Sequence, residues 1–183
     1  MPRPQFTLTV VTTLDGLIAR APDHAPHLWA SSEEQALFFA DVEGADWGIL
    51  GRHTHAAADR PDRRRIVFST AAGGGDWRRP TQLWLDPARV GPDDLAGLVG
   101  AVRPLERGVI LGGTRVHDWF LDHRAIDRVH LTVEPVRFGA GLPLFSRHAG
   151  PAEEVLARLG FRRQAERVLN ARGTRHTVWQ PAG

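Results

Sequence analysis

The chain has 183 residues, of which 42% are apolar, and its 23 basic and 21 acidic side chains leave a net charge of +2. This length and composition fit a globular protein with one sizeable hydrophobic core. A surplus of two charges does not imply the basic stripe of a nucleic-acid-binding protein. Cysteine is absent, which excludes disulfides, thiolate zinc sites and a cysteine nucleophile.

The N-terminal segment MPRPQFTLTVV holds too short an apolar run for a signal peptide or a membrane span. The sequence contains no internal repeat and no change of composition typical of a linker. We therefore expect one domain over residues 1–183, in a cytoplasmic enzyme or binding protein with no membrane or nucleic-acid partner.

The first third of the chain predicts a strand and a helix. Residues 6–14 are rich in Thr, Val and Leu and end at Asp15-Gly16, which is typical of a strand that runs into a turn. After a loop, Ser31 and Glu34 have the spacing of a capping box at a helix N-terminus. The apolar face of this helix, which ends near Gly44, is expected to comprise Ala36, Leu37, Phe38, Phe39 and Val42.

The rest of the chain predicts short elements separated by glycine and proline. Strands are expected at 47–50, 65–68, 82–85, 109–111 and 126–133, with helices at 52–58, 92–102 and 114–121 and a surface loop at 71–80. Residues 161–169 and 175–179 are expected to form a C-terminal hairpin.

Strands that alternate with helices indicate an α/β fold with a mainly parallel sheet, closed by the antiparallel hairpin. Such a sheet binds ligands at the carboxyl ends of its strands. The candidate sites are therefore the strand-to-helix turns at Asp15, Gly51, Ser69 and Gly112.

The turn Gly112-Gly113-Thr114-Arg115 suits a phosphate, because glycine lets the backbone approach a ligand and a helix start offers free N–H groups. A tight turn that needs glycine for its dihedral angles has the same pattern.

The turn Gly51-Arg52-His53-Thr54 places a guanidinium, which suits phosphate, beside a second helix start. An exposed Arg next to an N-cap Thr is the alternative. Two such turns in one sheet favour a dinucleotide. The H-x-H pair of His53 and His55 lacks further ligands at metal-binding spacing, so no metal site is predicted.

Four segments, TLDGLIA at 13–19, LGRHT at 50–54, IVFST at 66–70 and ILGGTRV at 110–116, follow one another in the chain. With GAGLPLF at 139–145, this ordered set resembles the dihydrofolate reductase superfamily. Within it, the chain is most similar to the reductase domain of the bifunctional riboflavin-biosynthesis deaminase/reductase.

The resemblance implies a sheet of about eight strands, NADPH as hydride donor and often a homodimer. It places one group of residues at the adenosine and its phosphates, namely Gly51, Arg52, His53, Thr54, Ser69 and Thr70. A second group surrounds the pyrophosphate, namely Leu111, Gly112, Gly113, Thr114, Arg115 and Val116.

The resemblance also implies catalytic and substrate-binding residues. Glu34 matches an acidic residue that takes part in proton delivery, although the capping box gives it another role. Asp15 and Thr13 lie at the substrate end, or Asp15 simply forms a D-G turn. Trp29 and His117 are expected near the substrate, His117 where dihydrofolate reductases often have a Tyr beside the nicotinamide.

The sequence thus predicts an NADPH-dependent reductase that transfers hydride to a C=O or C=N bond of a pyrimidine- or pterin-like substrate. Two departures from the family concern its substrate contacts: the substrate segment is shortened to Asp59-Arg60-Pro61, and Thr9 replaces a Lys. They motivate the alternative of a non-catalytic nucleotide-binding or regulatory module on the same fold.

Overall fold

The computed structural model describes residues 2–183. The strands are β1 (Gln5–Thr12), β2 (Leu17–Ala19), β3 (Trp47–Gly51), β4 (Arg65–Phe68), β5 (Asp76–Arg79), β6 (Gln82–Leu85), β7 (Arg107–Gly112), β8 (Arg128–Val133), β9 (Leu142–Pro143), β10 (Phe161–Val168) and β11 (Arg175–Pro181). The α-helices are α1 (Ser32–Gly44), α2 (Arg52–Ala57), α3 (Leu95–Val99), α4 (Thr114–Asp122) and α5 (Ala152–Arg158). Short 3-10 helices lie at Pro26–Leu28, Pro87–Arg89 and Pro92–Asp94.

Nine strands form the main sheet in the order β10-β11-β8-β1-β7-β3-β4-β6-β5. The six strands from β8 to β6 in this order are parallel to one another. Strands β10, β11 and β5 pair antiparallel at the two edges, and β2 pairs with β9 in a small separate sheet. The predicted α/β fold, with a mainly parallel sheet and a C-terminal hairpin, is confirmed.

Three parts of the chain differ from the prediction. Residues 71–80, expected as a surface loop, include β5, whose side chains are mostly exposed and therefore show no apolar alternation. The helix expected at 92–102 is a 3-10 helix, Pro92–Asp94, followed by the five-residue helix α3. Helix α5 and the small β2-β9 sheet were not predicted at all.

One face of the main sheet carries the hydrophobic core. Phe6 and Leu8 of β1 are fully buried, and the Phe6 ring lies 5.0 Å from that of Phe120 in α4. Because side chains alternate along a strand, Thr9 points to the opposite face, where its hydroxyl donates to Asp41 of α1 at 2.8 Å. Helix α1 therefore covers the second face.

The predicted apolar face of α1 is not buried as expected: Leu37, Phe38 and Val42 are half-buried, and Ala36 and Phe39 are exposed. Glu34 is the one residue of α1 that is buried, whereas Phe39 is 43% exposed. Asp41 also lies 2.9 Å from the ring nitrogen Nδ1 of His130 on β8. The helix is attached through these hydrogen bonds, which apolar periodicity does not reveal.

Asp46 fixes the register between β3 and β7. Its buried carboxylate accepts the backbone N–H groups of Glu106 at 3.1 Å and Arg107 at 2.9 Å, and its own N–H donates to the Arg107 carbonyl at 2.8 Å. Trp47 then pairs with Gly108, and the register places the far ends of the two strands side by side.

We expect Asp46→Ala to destabilise the protein by about 2–3 kcal/mol, because it leaves two N–H groups without their charged acceptor. Chemical denaturation measures this change. Asp76→Ala is the control, because the Asp76–Arg78 pair is exposed and such pairs contribute less than about 1 kcal/mol. Equal losses in the two variants would contradict the role given to Asp46.

Candidate functional site

The two predicted glycine turns lie next to each other at the carboxyl ends of β3 and β7. Leu50 pairs with Gly112, and a Cβ atom built on Gly51 would lie 3.9 Å from the Gly112 carbonyl oxygen. A Cβ atom on Gly113 would lie 3.8 Å from the Thr54 hydroxyl. The starts of α2 and α4 therefore face one shared space.

The backbone conformation differs among the three glycines of these turns, Gly51, Gly112 and Gly113. Gly112 has φ +102°, and a Cβ there would lie 3.3 Å from the Nε2 atom of His117, so the backbone turn itself requires glycine. Gly51 has φ −80° and ψ 162°, which any residue adopts, and the nearest atom to a Cβ built there lies at 3.5 Å. The fold therefore does not require glycine at position 51, which leaves room for a ligand. Gly113 has φ −87° and ψ −150° and is joined to Gly112 by a cis peptide bond.

Two exposed arginines border the same space. Arg52 is the first residue of α2 and Arg115 the second residue of α4, and neither forms an ion pair within residues 2–183.

The first intrahelical bonds of α4 run from the N–H groups of Val116 and His117 to the Gly113 carbonyl, both at 3.0 Å. The N–H groups of Thr114 and Arg115 precede them in the first turn of the helix, where backbone N–H groups have no acceptor within the helix. The Thr114 hydroxyl donates to the Pro143 carbonyl at 2.6 Å and is not free.

The remaining residues predicted at the cofactor lie around these turns. Phe68 pairs with Gly51, so Ser69 and Thr70 follow β4 directly beside the first turn, Ser69 buried and Thr70 exposed. Of the H-x-H pair, His53 is exposed, whereas His55 is buried and contacts Arg65 at 3.0 Å.

The side chains of Leu111 and Val116 lie close to Gly48 and Gly51 respectively. A Cβ on Gly48 would lie 3.0 Å from a Leu111 methyl group, and a Cβ on Gly51 would lie 3.5 Å from a Val116 methyl group. Val116 is buried.

Glu34 lies at the start of α1, and its carboxyl group does not form the predicted capping box. The Ser31 hydroxyl accepts the Glu34 N–H at 3.2 Å, as expected of an N-cap, but the Ser31 N–H donates to Glu134 at 2.7 Å. Glu134 follows β8 and was not predicted as a site residue, since a single Glu after a strand has no recognisable pattern. The second half of the capping box is therefore supplied from another strand.

The Glu34 side chain is buried, with 2% of its surface exposed. Burial, together with the charges of Glu134 and Asp41, raises its pKa to about 7, against the lowering effect of a 2.6 Å hydrogen bond from the Gln35 amide. A carboxyl group with this pKa is able to give or take a proton near neutral pH.

Asp15 and Thr13 bond to each other and to the backbone. The Thr13 hydroxyl donates to Asp15, and Asp15 accepts the N–H groups of Phe138 at 3.3 Å and Gly139 at 2.8 Å. Burial raises the pKa of Asp15, but these hydrogen bonds outweigh it and leave the pKa below its usual value. Of the two alternatives for Asp15, this geometry favours the turn over a proton donor.

His117 and Trp29 each have a buried ring nitrogen without a partner within residues 2–183, Nε2 and Nε1 respectively. The other nitrogen of His117, Nδ1, lies 2.9 Å from the Leu144 carbonyl, so it carries the proton. Burial lowers the pKa of His117 to about 4, so the ring is neutral and Nε2 is an acceptor. Trp29 packs against Phe138, with the ring centres 4.9 Å apart.

No helix of residues 2–183 is long and apolar enough to cross a membrane. In the same range, no three His, Cys, Asp or Glu side chains are grouped so that they could hold a metal ion.

No protein-family model matches the sequence, and a search of curated proteins finds no match. Several solved structures are similar to this chain in fold. A pyrimidine reductase-like protein from Corynebacterium diphtheriae is 13% identical, with a TM-score of 0.71 over 98% of this chain and 92% of that one. Dihydrofolate reductase from Enterococcus faecalis, complexed with NADP(H), is 15% identical, with a TM-score of 0.64 over 96% of this chain and 95% of that one. This chain has the dihydrofolate reductase fold.

The deaminase/reductase expected from the sequence is also among the similar structures. The diaminohydroxyphosphoribosylaminopyrimidine deaminase/5-amino-6-(5-phosphoribosylamino)uracil reductase from Thermotoga maritima is 17% identical, with a TM-score of 0.69. The match covers 98% of this chain but 57% of that protein, so this chain spans little more than half of its length. The expected resemblance in fold is confirmed.

The raised pKa of Glu34 predicts a pH-dependent stability. The folded-state pKa of about 7 exceeds the usual value of 4.5, so folding favours the protonated form, and the folded protein loses stability as pH rises through this window. Relative to Glu34→Gln, the wild type should lose about 2–3 kcal/mol of unfolding free energy between about pH 5 and about pH 8. Denaturation at several pH values measures this difference.

Glu33→Gln serves as the control in that experiment, because Glu33 is exposed and its pKa is lowered rather than raised. A wild-type stability that stays constant relative to Glu34→Gln over this range would show that the Glu34 carboxyl ionises as it does in water.

Proposed function

We propose that the protein is an NADPH-dependent reductase that acts on a C=O or C=N bond of a pyrimidine- or pterin-like substrate. The observation that carries the proposal is the pair of glycine turns: Gly51 and Gly113 face one space, and the fold does not require glycine at position 51. The similarity in fold to reductases supports the reaction class.

The residues at the two turns fit a dinucleotide. Arg52 and Arg115 would contact its phosphates with charge-assisted hydrogen bonds, and the backbone N–H groups of Thr114 and Arg115 would donate hydrogen bonds to the same phosphate oxygens. Ser69 and Thr70, beside the first turn, would contact the adenosine 2′-phosphate. NADPH, when bound, supplies the hydride, and the protein supplies binding, orientation and electrostatics.

Glu34 would hold the proton that accompanies hydride transfer. Its burial and its pKa of about 7 suit a group that exchanges a proton near neutral pH. His117 remains neutral and offers an acceptor beneath the Gly112 turn, so it would orient a donor rather than supply a proton.

An apolar and aromatic surface near the end of β1 fits a flat heterocyclic substrate. The exposed fractions of the Leu14, Leu28 and Val136 side chains are 38%, 63% and 39%. Exposed apolar side chains usually lie singly on a protein surface, apart from one another. Here the Leu14 N–H donates to the Val136 carbonyl at 2.8 Å, and Leu28 precedes Trp29 in the chain. Stacking on such a surface would bind a pyrimidine or pterin ring.

Two further parts of the proposal are a homodimer, which the resemblance implies, and a cytoplasmic location, which we expected from the absence of cysteine and from the N-terminal segment. The edge strand β10, whose residues from Arg162 to Val168 are all exposed, is available for pairing between two copies. Sedimentation at several protein concentrations would measure the oligomeric state.

Gly51→Ala should weaken NADPH binding at least about tenfold without unfolding the protein. The added methyl group meets Val116 at an ordinary contact distance of 3.5 Å and the φ of −80° suits alanine, but the group enters the space between the turns. Titration of nicotinamide fluorescence measures the affinity. Gly97→Ala in α3, where a Cβ has no neighbour within 4 Å, is the matched control and should bind normally. Equal affinity in both variants would mean that the cofactor does not use this space.

Glu34→Gln should bind NADPH normally and oxidise it at least about 100-fold more slowly, because the proton donor is lost. The assay follows NADPH oxidation with dihydrofolate and with the ribosylaminopyrimidine of riboflavin synthesis. A wild-type protein that binds NADPH but oxidises it with neither substrate would favour the non-catalytic nucleotide-binding module instead.

A further inference from the structure

The start of α1 holds two buried carboxyl groups that share Ser31 as a neighbour. Glu34 and Glu134 are each 2% exposed. Ser31 accepts the Glu34 N–H on its hydroxyl and donates its own N–H to Glu134. The two side chains therefore approach the same helix turn, Glu34 from the helix and Glu134 from the end of β8.

Glu134 has a hydrogen-bond donor on each of its oxygens. Oε1 accepts the Ser31 N–H at 2.7 Å, and Oε2 accepts the Thr174 hydroxyl at 2.7 Å. The direction of the second bond is fixed, because the Thr174 hydroxyl accepts the Asn170 amide at 2.9 Å and its own proton is left for Glu134. Donors of this kind favour a negatively charged acceptor.

Glu34 has a weaker set of donors. Its hydrogen bond from another side chain comes from the neutral Gln35 amide at 2.6 Å. Two carboxylates in one buried region repel each other, so the group with fewer donors retains its proton. In this pair that group is Glu34.

We propose that Glu134 is a positioning residue that keeps the proton on Glu34, by holding a negative charge beside it while joining the start of α1 to the turn of the C-terminal hairpin. The link to catalysis rests on the proposed reductase function, whereas the electrostatic link between the two carboxyl groups does not. Thr174 lies in the turn between β10 and β11, so this hairpin takes part in arranging the site.

Two other acidic residues of α1, Asp41 and Glu33, lie near Glu34 in the chain. Asp41 lies seven residues later on the same helix, and its charge also raises the Glu34 pKa. Asp41 is hydrogen-bonded to Thr9 and lies 2.9 Å from His130, which in turn lies beside His176 with ring centres 5.9 Å apart. Glu33 in the same turn is exposed.

Glu134→Gln tests the proposal, because the amide keeps an acceptor for Ser31 but removes the charge. The side-chain carboxyl carbons of the glutamates, labelled with carbon-13, are titrated by NMR, and the Glu34 signal is assigned by its loss in Glu34→Gln. We expect the Glu34 pKa to fall by about 1 unit in Glu134→Gln. Glu33→Gln, the same substitution in the same helix turn, should leave it unchanged, and Glu134→Asp, which keeps the charge, should keep it raised.

An unchanged Glu34 titration in Glu134→Gln would overturn the proposal. If that variant does not fold, Glu134→Asp decides: a Glu34 pKa that falls back to its usual value of 4.5 in this variant, which keeps the negative charge, would also overturn the proposal.

The enzymatic readout is separate from the NMR readout. In an active reductase, the alkaline limb of the pH–rate profile should shift to lower pH in Glu134→Gln by the same amount as the Glu34 titration. A shifted titration in a protein that oxidises no NADPH would leave the link between the carboxyl groups intact and refute the proposed function.

Discussion

The parallel pairing of β3 with β7 is the constraint on which the candidate site depends. Asp46 sets this pairing at one end of the strands, where its carboxylate accepts the first N–H groups of β7. Toward the other end the register shifts by one residue between Ile49 and Leu50, so Leu50 pairs with Gly112, and two helix starts that are distant in sequence share one space. A change of register would separate the arginines of the two turns and remove the site.

A second constraint acts on α1. Many helices of a globular protein pack on their sheet through an apolar stripe, whereas this one also forms hydrogen bonds from Ser31 to Glu134 and between Asp41 and Thr9. Glu34 is the residue of α1 that is buried, and burying a carboxyl group costs stability. This burial also makes the proton affinity of Glu34 depend on groups supplied by β8 and by the C-terminal hairpin.

The sequence was sufficient to predict the features that arise from local pattern. Apolar runs located β3, β4 and β7, and the glycine turns after β3 and β7 marked the right edge of the sheet. It did not reveal Glu134, because the partners Ser31 and Thr174 are more than a hundred residues apart from each other in the chain and meet only through the fold. The apolar residues of α1 were misleading for the same reason: what the helix buries is decided by the polar residues of the strands beneath it.

The central claim is that both glycine turns bind one dinucleotide, and amide NMR during addition of NADPH tests it most directly. The account predicts that the backbone N–H signals of Arg52 and His53 in one turn and of Thr114 and Arg115 in the other shift together, with a single dissociation constant. Shifts confined to one turn, or to residues at the opposite edge of the sheet, would contradict it.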